Sequence, residues 1–148
     1  MKICAIICEF NPFHNGHKYL LERAKEISGC DAVVCVMSGC FTQRGEMCRT
    51  DKFLRAKHAV LCGADAVIEL PAPFAVAPAE IFAAGAALCL KYVPAELSLA
   101  FGCERGQSGD FVSAAAILND ESATFKEILS RNLDLGESFI KSRLAAFT

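Results

Sequence analysis

The densest chemistry in this chain sits at consecutive positions near its start, Glu9-Phe10-Asn11-Pro12-Phe13-His14-Asn15-Gly16-His17. Imidazole nitrogens can donate hydrogen bonds to phosphate oxygens as charge builds on them during a displacement. Asn11-Pro12 supplies a turn, and Gly16 lets an anion approach the backbone closely. Two histidines at a turn can also do no more than cap a helix. Phosphate binding is favoured because three features coincide: the His-x-Gly-His spacing, the preceding Asn-Pro-Phe, and an apolar run directly upstream. A glycine-rich loop carrying lysine is absent, which disfavours phosphoryl transfer of the P-loop kind.

These residues need a scaffold. Ile3 to Cys8 and Ala32 to Met37 are apolar without alternation, as strands covered on both faces of a parallel sheet must be. Between them, Gly16 to Ile27 reads as a helix with Leu20, Leu21, Ala24 and Ile27 on one face, ending at Ser28-Gly29. This is a βαβ unit with a right-handed crossover. Thr50 or Asp51 caps a second helix whose apolar positions are Phe53, Leu54, Ala56, Val60 and Leu61. A strand over Ala66 to Leu70, a helix over Ala79 to Tyr92 and a strand over Leu97 to Phe101 complete the alternation. The expected architecture is α/β, a Rossmann-like parallel sheet with flanking helices. In such sheets ligands gather at the carboxyl ends of strands, where a helix N-terminus offers unpaired N–H groups and partial positive charge. The histidine motif falls at such a place. From Asp110 onward only helices are expected, over Phe111 to Leu118, Ser122 to Leu133 and Glu137 to Phe147. The domain reading is therefore an α/β domain carrying the phosphate-binding turn over 1–109 and a helical extension over 110–148.

With 15 Lys+Arg against 17 Asp+Glu the net charge is −2, which does not mark a dedicated nucleic-acid clamp. A charged fraction of 22% and a mean hydropathy of +0.34 argue against disorder. The 9 cysteines cannot all pair within one chain, and none forms a C-x-x-C pair, so a reduced, cytoplasmic setting is expected. Cys4 and Cys8 read as small buried hydrophobes. The opening apolar run is broken by Glu9, Asn11 and Pro12, so export is not expected. Leu70 to Leu90 carries one charge, Glu80, but Pro71, Pro73 and Pro78 make it a buried loop and helix instead of a membrane span.

His14-Asn15-Gly16-His17 after an apolar strand resembles the signature of the HIGH superfamily of nucleotidyltransferases and class I aminoacyl-tRNA synthetases. Longer blocks occur in order behind it: Val36-Met37-Ser38-Gly39 with Gln43-Arg44-Gly45-Glu46, Gly63-Ala64-Asp65 with Val67 to Pro71, Ala79 to Ala83, and Phe101 to Glu104. Together these resemble the tRNA(Met) cytidine acetate ligase family. The resemblance implies that acetate attacks the α-phosphate of ATP, giving acetyl-adenylate and pyrophosphate. The acetyl group then passes to N4 of the wobble cytidine of elongator tRNA(Met). It implies that Ile7, Cys8, Glu9, Phe10, Asn11, Pro12, Phe13, Asn15, Gly16 and Leu20 line the ATP site. His14 and His17 would act at the phosphates, and Gly102 would lie close to the nucleotide. It also implies Mg²⁺ as the companion of ATP and tRNA as a partner met through segments beyond residue 148, the helical extension being cut short relative to full-length members. The chain departs from the family in Cys40, commonly Asn, and Cys103, commonly Ser. Two other readings stay open: a small-molecule adenylyltransferase of cofactor synthesis, and a catalytically silent ATP-binding module.

Further candidates come from the residues alone. Arg44 to His58 holds Arg44, Arg49, Lys52, Arg55 and Lys57 against Glu46 and Asp51, a local surplus of 5 − 2 = +3. Such a patch is read first as a solvated helix face and second as a phosphate site. Arg44 is favoured for function because it lies in a loop beside Gly45. Ser38-Gly39 offers a small-residue turn for a carboxylate or phosphate. Asp65 and Glu69 could hold Mg²⁺, although contact with a basic side chain is the favoured reading of Glu69. Glu104 and Arg105 follow the fourth strand and could face the same crevice. His58, and Phe10, Phe13, Phe41 and Phe74, are read chiefly as structural, with base stacking as the alternative for the aromatics.

Overall fold

The computed structural model describes residues 1–104 and 108–147. The chain divides into two units, Met1–Gly102 and a second that starts at Cys103. In the first unit the order is β1 (Lys2–Cys8), α1 (Asn15–Ser28), β2 (Ala32–Ser38), α2 (Lys52–Leu61), β3 (Ala66–Leu70), α3 (Ala72–Ala75), α4 (Ala79–Lys91) and β4 (Glu96–Leu99). The strands form one parallel sheet in the order β3-β2-β1-β4, with Ile3 opposite Ala32 and Cys8 opposite Met37. This is the Rossmann-like arrangement that alternating apolar strands and amphipathic helices demand.

The two unbroken apolar runs are the two central strands. One face of the sheet packs Cys4, Ile6, Val33, Cys35 and Met37 on Leu21 and Ala24 of α1 and Ala59 of α2. The other packs Ala5 and Val36 on Ala75 of α3 and Ala86 and Leu90 of α4. The chain steps outward from β1 to β3, then returns across the sheet through α4 to place β4 on the far side of β1. That reversal opens a crevice at the carboxyl end of β1, between the N-terminal ends of α1 and α4.

Local sequence explains the element ends. α1 stops at Gly29, whose φ of 57° is left-handed and costs glycine nothing. The Asp51 carboxylate accepts from the N–H groups of Phe53 (2.8 Å) and Leu54 (3.3 Å) and so starts α2. The segment after β3 was expected to be loop, but Ala72–Ala75 forms one helical turn. Its prolines sit at the start of that turn, where the missing N–H needs no partner. Gly85 permits the contact between α3 and α4, since a Cβ there would fall 2.3 Å from Cγ of Phe74.

The face of α2 differs from the expectation. Phe53 and Leu61 are 74% and 72% exposed, whereas Arg55 and Ala59 are buried. Ala59 lets the helix approach the sheet closely, and Arg55 finds backbone carbonyls there that an apolar side chain could not satisfy.

The second unit is helical as expected: α5 (Ser108–Asn119), α6 (Ala123–Asp134) and α7 (Phe139–Ala146). Ser122 and Ser138 cap α6 and α7 through bonds to the Phe125 and Lys141 N–H groups. Phe125 is buried and meets Phe147 edge-on with centroids 5.5 Å apart. Among the described residues no helix is long and apolar enough to cross a membrane.

Candidate functional site

A cleft of about 810 Å³ opens at the carboxyl end of β1. One wall is the turn from β1 into α1, contributing Ile7 to Pro12, His14, His17 and Leu20. The other is the segment after β2, contributing Thr42, Gln43, Arg44, Glu46 and Arg49, with Ala79 and Phe82 at the start of α4. The structure thus brings together Ile7, Cys8, Glu9, Phe10, Asn11, Pro12, His14, His17, Leu20 and Arg44 of the sequence candidates.

His14 is the N-cap of α1. Its Nδ1 accepts from the Gly16 N–H at 3.1 Å, while His17 Nδ1 accepts from the His14 N–H at 3.3 Å. With both Nδ1 atoms accepting, the hydrogen of each neutral ring sits on Nε2. Two donors are therefore aligned at the helix start, and the positive end of the α1 dipole is passed on through imidazole instead of through a bare Gly16 amide. A Cβ on Gly16 would lie 3.0 Å from Cε1 and 3.1 Å from Nδ1 of His14, so the glycine makes room for the capping ring.

His17 is half-buried between Phe10 (centroids 4.8 Å) and Phe13 (5.6 Å). That burial, together with repulsion from a charged His14, holds its pKa below the ordinary value. It is neutral at neutral pH, a donor through Nε2–H. Phe10 is 1% exposed with a left-handed φ of 49°, an unusual backbone for a bulky residue, held by packing against Phe13 (5.0 Å, edge-on).

The opposite wall is a small hairpin. Phe41 and Met47 form an antiparallel bridge, closed by Thr42 N–H to the Glu46 carbonyl (2.8 Å) and Cys48 N–H to the Cys40 carbonyl (2.9 Å). Its tip and the residue just after it are tied to the facing wall. The Glu9 carboxylate accepts from the Gln43 N–H at 2.5 Å, and Asn11 Oδ1 accepts from the Arg49 N–H at 2.7 Å. Gln43 Nε2 also donates to the Ala77 carbonyl at 2.7 Å. Glu9 and Asn11 therefore serve as struts between the walls.

Arg55 is the residue that sequence reasoning placed on a solvated face. It is fully buried, and donates through Nη1 to the carbonyls of Glu9 (2.6 Å) and Ser38 (3.1 Å), through Nη2 to that of Gly39, and through Nε to that of Thr50 (3.1 Å). The available signal was its position four residues before Ala59, on the one stripe of α2 narrow enough to meet the sheet. The basic patch is in fact divided: Arg44 and Arg49 line the cleft, Arg55 is interior, and Lys52 holds Glu69 at 2.7 and 2.8 Å.

Other candidates fall elsewhere. Phe13, Asn15, Gly16, Ser38 and Gly102 are not among the lining residues; Ser38 is fully buried beneath the hairpin, and Gly102 follows β4 on the surface. Glu69 is engaged with Lys52, as favoured. Asp65 precedes β3, at the end of the sheet away from the cleft, where it accepts from the Val33 N–H at 2.8 Å. Glu104 lies in the second unit, and Arg105 lies outside the described residues. Phe10 and Phe74 pack into the core as expected, whereas Phe41 is exposed. His58 is an exposed residue of α2 with its ring 6.5 Å from that of Phe13. All nine cysteines are free. Cys8 lines the cleft but donates to the Val36 carbonyl (3.7 Å), and burial followed by its hydrogen bond with Cys35 pushes its pKa well up. It is a thiol, unsuited to attack as thiolate. Among the described residues no three His, Cys, Asp or Glu side chains gather as a metal cluster.

The sequence matches a family model described as HIGH Nucleotidyl Transferase over residues 1–148. It is 47% identical over 146 residues to a tRNA(Met) cytidine acetate ligase of Acetivibrio thermocellus, covering 99% of this chain and 35% of the relative. It is 45% identical over 143 residues to the protein of that name from Clostridium tetani, covering 97% and 36%. The fold superposes on the crystal structure of Thermotoga maritima TmcAL bound with alpha-thio ATP with a TM-score of 0.95 at 39% identity, covering 99% of this chain and 36% of that one. The chain thus spans about a third of the length of these relatives.

Proposed function

The chain belongs to the HIGH nucleotidyl transferase family, and from that premise we propose that its cleft binds ATP and activates acetate as acetyl-adenylate for N4-acetylation of the wobble cytidine of elongator tRNA(Met). The observation that carries the reading is the pairing of two Nε2–H donors, those of His14 and His17, at the start of α1 with Arg44 and Arg49 across the same cleft. A triphosphate is the ligand for which donors on one wall and cations on the other are suited. The relatives' names supply the acetate and tRNA, and the solved relative was crystallised with an ATP analogue.

In this reading an acetate oxygen attacks the α-phosphorus, the bond to pyrophosphate breaks, and AMP leaves when the cytidine amine takes the acetyl group. No protein nucleophile is required, consistent with the protonated thiol at Cys8. The protein contributes alignment and charge stabilisation: His14 and His17 donate to oxygens that gain charge, and the hairpin arginines balance the departing pyrophosphate. Mg²⁺, which supplies charge neutralisation when bound with ATP, is held largely by phosphates in such sites, and Glu46 is the lining carboxylate not tied to the facing wall. Contact with tRNA is assigned to the part of the relatives' length that this chain does not span, and a cytoplasmic setting goes with the free thiols.

Isothermal titration with ATP and a non-hydrolysable analogue, with and without acetate and Mg²⁺, tests the reading together with pyrophosphate exchange. Binding plus acetate-dependent exchange is the expected result. Exchange that requires a phosphorylated metabolite points instead to a small-molecule adenylyltransferase, and binding without exchange to a silent module.

A further inference from the structure

We propose that Arg55 is the positioning residue of the cleft, setting the separation and register of its two walls from beneath. The observation is one of connectivity. Ser38 and Gly39 are the root by which the chain enters the hairpin, and Thr50 is the root by which it leaves. Glu9 belongs to the facing wall. A single guanidinium donates to carbonyls of all four.

Arginine suits this task because its planar fork carries five donors in fixed directions, so four acceptors on three segments are held at set angles to one another. No other side chain carries as many donors in fixed directions. The Glu9–Gln43 and Asn11–Arg49 struts at the rim then close a frame whose base is Arg55. Loss of the base frees both roots of the hairpin together, and with them Arg44 and Arg49.

Charge adds a second consequence. Arg55 is fully buried, and among the described residues no carboxylate lies within ion-pair distance of it. Its partners are neutral carbonyls, so its field is only partly offset and reaches the floor of the cleft. A buried charge is tolerated when hydrogen-bonded to this extent. Its sign is the one an anionic ligand requires. The inference rests on the nucleotide reading of the cleft only for the identity of that ligand.

The test compares the parent chain with Arg55→Lys and Arg55→Met. Lysine keeps the charge but lacks the fork, while methionine keeps approximate length without charge. Three measurements are made where circular dichroism shows the variants folded: ATP affinity, exchange of the Gln43 and Arg49 amide hydrogens, and the response to low, non-denaturing guanidinium in Arg55→Ala. The expected result for Arg55→Lys is faster exchange at both amides and an ATP dissociation constant raised on the order of tenfold to a hundredfold, the scale of a misplaced group in a preorganised site. Arg55→Met is weaker again, and guanidinium partly restores Arg55→Ala. A residue important only for stability would lower the melting temperature yet leave the affinity and both amides of the folded fraction unchanged, and that result overturns the proposal. Should every variant fail to fold, exchange of the guanidinium hydrogens in the parent chain decides: slow exchange supports the grip on four carbonyls, fast exchange refutes it. If the parent binds no ATP, the functional reading fails by itself, and the amide and guanidinium exchange still decide whether Arg55 holds the walls.

Discussion

The rings of His14 and His17 lie stacked, with 3.7 Å between centroids and 24° between planes; His14 turns its Nδ1 onto the Gly16 N–H in the first turn of α1, and His17 turns its own onto the N–H of the N-cap, His14. The residues that cap the helix are therefore also the residues that present donors to the cleft. Capping and ligand binding are usually weighed as rival explanations for histidines at a turn. Here the two are compatible, because using Nδ1 on the backbone leaves Nε2–H as the remaining donor of each ring.

His17→Ala is expected to stay folded, losing helix-cap stability of about 1 kcal/mol. Pyrophosphate exchange should fall on the order of 10²–10³-fold, as for removal of a donor in comparable sites. Stopped assays on the folded variant check this, and near-normal exchange would remove His17 from the proposed chemistry.

The pH response follows from the lowered pKa of His17, caused first by burial and then by the charge on His14. Folding favours the neutral ring, because burial and the neighbouring charge of His14 both penalise the imidazolium. The contribution to stability is thus complete above the unfolded value of about 6.5, and is lost as pH falls through the lower folded value. Nitrogen-detected titration of His17 should show a midpoint below that of a free histidine, moving upward when ATP is added. A midpoint at or above the ordinary value contradicts the assignment.

Gly85→Ala tests the packing of α4 on α3. The added methyl would fall 2.3 Å from Phe74 Cγ and 2.5 Å from its Cβ, an atom next to the backbone that a rotamer change does not move away. A loss of about 1–3 kcal/mol in chemical denaturation is expected, typical of overpacking. Gly85→Ala combined with Phe74→Leu should recover part of it.

Asp51→Ala removes the acceptor of two N–H groups at the start of α2. A cost of about 1 kcal/mol is expected from the cap alone. Since the same first turn carries Arg55, exchange at the Gln43 and Arg49 amides should also quicken. If stability falls while those amides stay protected, α2 does not transmit order to the hairpin.

Much of the architecture is legible from short-range pattern. The unbroken runs at Ile3 to Cys8 and Ala32 to Met37 could satisfy their backbones and bury both faces only as inner strands of a parallel sheet, and they are β1 and β2. The third strand lies where expected, and the helices begin and end near their caps because Asp51, Ser122, Ser138 and Gly29 act on atoms a few residues away. The histidine motif was legible for the same reason: its hydrogen bonds close within four residues.

What the chain could not announce locally is what a long side chain meets across the fold. Arg55 looks like its basic neighbours in sequence, yet its carbonyl acceptors come from segments up to 46 residues away. The apolar residues of α2 suggested the opposite face, because periodicity reports amphipathicity but not which stripe a sheet edge can accept. Asp65 and Glu69 are four residues apart and sit at opposite ends of one strand, a separation that extended geometry enforces. The sequence by itself determined the four strands, the longer helices, their order and the histidine turn at the start of α1, since propensity, caps and apolar pattern act over a few residues. Only the tertiary structure decided which distant carbonyls surround a buried guanidinium and how wide the cleft stands, since those follow from how strands and loops far apart in the chain come to rest together.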